Sequence, residues 1–147
     1  MNKLYSEDLV FIKHNVLKED LLLSLCEIKR AAWNYSLTNQ KKWIIENSKK
    51  SDIHVLLIED ESYIAYLNLK KIKLFNDKGL IVDSFGIGNV SSKFSKKGYG
   101  SKLIRGVNEY LIRENKIGVL FCKKELTSFY LRNNYKIEKE DEKNIFL

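Results

Sequence analysis

The chain has no proline and two cysteines, and each shortage excludes something. Without proline there is no proline-rich linker, and neither an internal repeat nor a low-complexity tract divides the sequence. Cys26 and Cys122 stand far apart, with no CxxC pair and no histidine near them in sequence to complete a metal set. They fall in a helix-like and a strand-like apolar segment, as buried thiols of a reducing, cytoplasmic compartment do, and no metal is expected. No stretch approaches the roughly 20 apolar residues that cross a bilayer. Glu7, Asp8, Lys13 and His14 interrupt the place where the apolar region of an export signal would lie. Neither membrane insertion nor secretion is expected.

A block of like charge is missing too. The 26 Lys and Arg against 19 Asp and Glu give a net charge of +7, which favours an anionic ligand or an acidic surface. The lysines are scattered or paired, as at Lys41-Lys42, Lys49-Lys50 and Lys96-Lys97. That is the pattern of solvated helix faces, not of a nucleic-acid arm, so nucleic acid is not expected as a partner. What the chain does have is 147 residues, 44% of them hydrophobic, enough to bury the core of one domain over residues 1–147.

The apolar residues change period along the chain. Leu9 to Ile12 reads as a strand, and Leu17, Leu21, Leu22, Leu25, Ile28 and Ala32 recur at helical spacing between Val16 and Trp33. Thr38 is an expected N-cap for a second helix carrying Trp43, Ile44 and Ile45. From Ile53 the pattern becomes β. His54 to Ile58 and Tyr63 to Leu69 flank a turn at Glu59 to Ser62, and the turn signal Asn76-Asp77-Lys78-Gly79 leads into Leu80 to Val90. Gly86 and Gly88 near the end of that strand predict a bulge or the close approach of a ligand. A helix with Leu103, Ile104, Val107, Tyr110 and Leu111 on one face follows, then a strand at Ile117 to Cys122. A short helix near Leu126 to Arg132 and strands near Tyr135 to Ile137 and Asn144 to Leu147 complete the order β-α-α-β-β-β-α-β-α-β-β.

The chemistry is concentrated where the meander enters the third helix, at Ser95-Lys96-Lys97-Gly98-Tyr99-Gly100-Ser101. A glycine turn opening a helix can hold a pyrophosphate, because unpaired backbone N–H groups and the helix dipole both favour negative charge and glycine lets the ligand reach the main chain. An ordinary tight turn has the same sequence. Spacing excludes two familiar phosphate sites: there is no GxxxxGK[ST], and Leu103 stands where GxGxxG needs its third glycine. A dinucleotide fold would also place this loop early in a βαβ unit, not after a meander.

The segment Val90-Ser91-Ser92-Lys93-Phe94-Ser95-Lys96-Lys97-Gly98-Tyr99-Gly100, with Phe129-Tyr130 and Asn134-Tyr135 beyond it, resembles the acyl-CoA signature and the later aromatic element of the Gcn5-related N-acetyltransferases. Three positions depart from that pattern: Ser95 for an Arg or Gln, Asn134 for a glycine, and Lys123 for a frequent asparagine. The resemblance implies an α/β (α+β) fold with a mixed, mostly antiparallel central sheet flanked by helices. It implies acetyl-CoA as acyl donor and a small-molecule primary amine as acceptor, with direct attack of the amine on the thioester; the alternatives are a non-catalytic acyl-CoA-binding module, which the departures at Ser95 and Lys123 permit, and, behind it, a basic nucleic-acid-binding domain.

By the same resemblance, Gly88, Asn89 and Val90 hold the pantetheine while Ser95 to Ser101 hold the phosphates, and Tyr130 is the acid for the leaving thiolate. Asp83 is the expected base, acting directly or through water, with His54 as alternative base beside the acceptor; a solvent-exposed strand Asp is equally compatible with position 83, and a lone His such as His54 is more often structural. The acceptor is expected beside Arg30, Trp33 and Tyr35, where aromatic faces among polar groups suit a sugar ring, while Trp43 reads as helix packing. This region resembles, loosely, acetyltransferases of aminoglycosides or amino sugars. Family members often form homodimers, and nothing in the sequence decides that point.

Overall fold

The computed structural model describes residues 3–4, 8–95, 97–140 and 143–146. Its main sheet has the order β1-β2-β3-β4-β5-β6. β1 (Lys3–Leu4), β2 (Leu9–Lys13), β3 (Ile53–Glu59), β4 (Ser62–Phe75) and β5 (Ile81–Ser92) run antiparallel to their neighbours, and β6 (Ile117–Val119) joins β5 in parallel. β7 (Ile137–Glu140) and β8 (Lys143–Phe146) form a separate two-stranded sheet. The expected order of elements is present, preceded by the two-residue β1.

Helices cover both faces. α1 (Glu19–Ala32) has Glu19 and Asp20 in its first turn and Lys29 and Arg30 in its last, which suits the helix dipole at both ends. α2 (Leu37–Asn47) is capped by Ser36, whose hydroxyl accepts from Asn39 N at 3.2 Å. The cap is therefore Ser36 and not Thr38, which lies inside the first turn. Both residues are good N-caps, and the two-residue choice rests on where the chain leaves α1. On the sheet face beneath these helices, Leu21, Leu22, Leu25, Ile28 and Ile44 pack with Leu56 and Tyr66. On the other face α3 (Tyr99–Arg113) and α4 (Thr127–Arg132) cover Val55, Leu57, Leu67 and Leu69. The expected stripe of Leu103, Ile104, Val107, Tyr110 and Leu111 is buried there.

β4 continues to Phe75, past the expected end at Leu69, because exposed and half-buried positions keep alternating through Lys70, Lys71 and Lys73 while β5 stays in register to Phe75 opposite Ile81. At the turn the Asn76 side chain accepts from Lys78 N and Leu80 N, both at 2.9 Å. β6 is shorter than expected. It pairs with β5 only from Ser84 to Gly86, after which the two strands part and leave the end of β5 beside α3 and α4.

Candidate functional site

β5 ends in the loop that opens α3. Gly98 is the N-cap residue with φ +77°, and no side chain caps the helix, so its first N–H groups carry no capping side chain. A left-handed φ is where glycine carries no steric penalty. Between this loop and α4 lies a cavity of about 440 Å³, which gathers Val90, Ser95, Lys97, Gly98, Tyr99, Gly100, Ser101 and Tyr130, together with Phe129 and Arg132. Most of the residues expected to hold the donor are thereby brought together. Lys96 lies outside the described residues. A Cβ on Gly100 would stand 3.3 Å from Phe129 Cζ, so that position leaves little room for a side chain.

Tyr130 is 5% exposed, with its ring edge-on to Phe129 and Tyr135. Burial pushes its hydroxyl pKa up to about 12, which keeps the proton on at neutral pH. Its helix ends in paired backbone bonds, Tyr135 N to Tyr130 O at 3.1 Å and Asn134 N to Leu131 O at 3.3 Å. That is a Schellman cap, and it needs a left-handed residue at Asn134, where φ is +72°. Asparagine is among the non-glycine residues that tolerate this region, so its substitution for the glycine of the resembled pattern keeps the turn. Replacing Asn134 with Val is expected to cost about 1–2 kcal/mol, and replacing it with Gly nothing or a slight gain, as read from urea midpoints.

The bulge expected from Gly86 and Gly88 is present on β5. Tyr66 and Asn68 of β4 face Ser91 and Gly88, so Asn89 and Val90 together oppose one residue, and Asn89 takes φ +56°. Asn89 lines a second cavity, about 390 Å³, between β5 and the α1–α2 pair. Trp33, Tyr35, Asn39, Gln40, Trp43 and Lys29 form the rest of its wall. Trp33 and Tyr35 are where the sequence pattern suggested. Trp43, expected to be packing, is 41% exposed in the same wall. Arg30 is outside it, paired with Glu27 at 3.7 Å on the exposed side of α1.

Beside the bulge a polar row crosses the sheet. Ile12, His54, Asn68 and Gly88 lie opposite one another in successive strands. His54 is fully buried, with Nδ1 2.6 Å from the Tyr66 hydroxyl and Nε2 2.8 Å from Nδ1 of His14. Burial, and then the neighbouring His14, pull its pKa down to about 4. Both ring nitrogens are therefore engaged, and His54 lines neither cavity; its place is structural, not at the acceptor. Asn68 is also fully buried, and neither atom of its amide has a hydrogen-bond partner among the described residues. Gly88 fits against it, since a Cβ there would lie 2.9 Å from Asn68 Oδ1.

Asp83 is elsewhere. It is exposed, faces Lys73 across the ladder, and lines a different hollow with Lys71 and Lys116. Between Asp83 and Asn89 the strand runs roughly 20 Å, so its carboxylate does not reach the bulge. Cys26 is buried as expected, and Cys122 is half-buried.

Lys29, Asn39 and Asn68 of this region escaped the sequence reading. Lys29 had a visible signal, because it repeats the buried Leu22, Cys26 spacing of α1, but the exposed Arg30 beside it drew the attention. Asn68 had none, being one polar residue in an apolar strand.

Solved structures share this fold. An acyl-CoA N-acyltransferase from Pseudomonas aeruginosa matches at 18% identity and TM-score 0.64, over 95% of this chain and 96% of that one. The PaiA N-acetyltransferase from Thermoplasma acidophilum, solved with coenzyme A, matches at 18% identity and TM-score 0.62, over 94% and 96%. Glucosamine-6-phosphate N-acetyltransferase from Arabidopsis thaliana matches at 14% identity and TM-score 0.63, over 92% and 96%. At these identities the likeness is one of fold, and the chain has the Gcn5-related N-acetyltransferase fold. No family model and no curated protein matches the sequence.

Proposed function

We propose that this protein is an acetyl-CoA-dependent N-acetyltransferase acting on a primary amine of a small polar molecule, with an amino sugar as the model acceptor. The observation that carries the reading is the convergence of both cavities on the β5 bulge, with Val90 in the wall of one and Asn89 in the wall of the other. A donor held in the first would present its acyl end to an acceptor held in the second. The residues present fit acyl-CoA: a left-handed glycine, a helix start without a capping side chain and Lys97 suit phosphates, and the edge of β5 released by β6 can pair with an amide chain. Bound acetyl-CoA would supply the activated thioester.

The protein's own part is positioning and proton placement. Backbone groups of Asn89 and Val90 at the bulge, other than Asn89 O, which accepts from Ser91 Oγ at 3.0 Å, orient the acyl group. Tyr130, protonated and buried in the donor cavity, gives its proton to the departing thiolate. Among the described residues no Asp, Glu or His lines either cavity, so the amine's proton passes to water. The aromatic wall of Trp33, Tyr35 and Trp43 offers ring faces to a sugar, and Asn39 offers it hydrogen bonds. The chemistry of the PaiA and glucosamine-6-phosphate enzymes, which share the fold, agrees with this reading.

Calorimetry with acetyl-CoA tests the donor site. Micromolar binding is expected for the native chain, and roughly 100-fold weaker binding for Gly98→Glu, which sets a carboxylate and a strained φ at the phosphate turn. Lys97→Glu, at an exposed position, should weaken binding without touching the backbone. A well-folded native protein that ignores acetyl-CoA would overturn the proposal.

A further inference from the structure

Lys29 is the anomaly of the second cavity. Its side chain projects from the buried face of α1, the residue is only 3% exposed, and it lines the cavity wall. Its Nζ stands 4.1 Å from the centre of the Trp43 ring and 5.8 Å from that of Trp33. Among the described residues it has no carboxylate partner, and no acidic residue lines the cavity. The buried charge nearby is treated differently: Asp52 is paired with Lys70 at 2.8 Å. An ammonium removed from water and left without an anion is unfavourable, and ring faces compensate it only in part. Desolvation accordingly pulls its pKa below the ordinary lysine value.

We propose that the acceptor carries an anionic oxygen group, carboxylate or phosphate, and that Lys29 reads this group from the wall of the aromatic cavity. The inference rests on the second cavity being the acceptor site. It adds a class to the reading: an amine that is also an acid, such as an amino acid or the phosphate ester of an amino sugar. An anion against Nζ completes the missing ion pair in a low-dielectric site, where such a bond is strong. A polyamine would put a second cation against Lys29 and is disfavoured by repulsion. The side-chain amide of Gln40 is committed to the wall itself, donating to Trp33 O at 2.6 Å, which fixes the ring on one side of the ammonium.

The test has a built-in reporter, because Trp33 and Trp43 are the only tryptophans in the chain and both line this cavity. Their emission is titrated at fixed ionic strength with glucosamine 6-phosphate against glucosamine, and with leucine against leucinamide. The anionic member of at least one pair should act at a concentration at least about tenfold lower than its neutral-tailed partner. The pair that responds tells phosphate from carboxylate. Lys29→Met, which keeps an apolar stem, should erase the preference, and Lys29→Arg should restore it; melting curves verify that both variants fold. Equal responses within each pair, no response up to about 10 mM, or a preference that survives Lys29→Met would each overturn the inference. Acetyl-CoA calorimetry separates the two claims. Donor binding without an anion preference removes the inference alone, and an anion preference without donor binding removes the acetyltransferase reading and leaves an anion site.

Discussion

Replacing Tyr130 with Phe should lower kcat for acetyl transfer by about 100-fold or more while leaving acetyl-CoA affinity nearly unchanged. The ring is held edge-on between Phe129 and Tyr135, and phenylalanine keeps those contacts. The cavity therefore retains its shape, and the hydroxyl group with its transferable proton is what is lost. Since burial raises the Tyr130 pKa to about 12, the native protein should show no loss of kcat from this group between pH 7 and pH 10, the range across which its proton stays on. Steady-state rates with a good acceptor, paired with calorimetry on the same preparations, check both halves. A variant that turns over at the native rate would remove Tyr130 from the chemistry and reduce it to a core aromatic.

Acidification should destabilise the protein through His54. Its folded pKa, about 4, lies below the ordinary value of 6.5, so the unfolded chain takes up a proton that the folded one refuses. Stability is then complete above pH 6.5 and falls as the pH drops towards 4. A shift of that size amounts to about 3 kcal/mol, with about 2 kcal/mol already lost at pH 5. His14 acts in the same direction, its pKa lowered mainly by burial. Asp52 opposes the effect on both rings, while Lys70, and for His54 Lys29, reinforce it. Urea midpoints measured from pH 7.5 to pH 4.5 should trace this decline. His54→Gln is expected to flatten it, whatever the substitution costs at neutral pH. Parallel pH curves for the two proteins would show that the imidazole does not carry the acid sensitivity.

Both predictions concern residues buried between packed layers, and they differ in how much of their role could be read from the sequence. Tyr130 sits in a local pattern, five residues before Tyr135 and one turn from the loop that opens α3 in space. The Asn134 cap that sets this geometry is itself a short-range feature. His54 is different. Its partners are His14, forty residues away, and Tyr66 on the next strand. Asp83 shows the same limit from the other side. Its strand was correctly identified, but the register against β4 set it opposite Lys73, and the 3.3 Å rise of an extended strand carries it well away from the bulge.

The sequence by itself determined the order of elements, the turn at Asn76 to Gly79, the apolar face of α3, the bulge signalled by Gly86 and Gly88, and the glycine loop at Gly98. Each of these depends on residues within a turn or a few strand positions of one another, where periodicity and backbone preference act directly. Tertiary structure alone decided that β6 leaves β5 after Gly86, that Lys29 meets Trp33, Trp43 and Asn89 in one cavity wall, that Asn68 is orphaned against Gly88, and that His54 is sealed between Tyr66 and His14. Burial, pairing and cavity walls come from the packing of segments distant in sequence, and a polar side chain acquires its charge state and its partners only once those segments close over it.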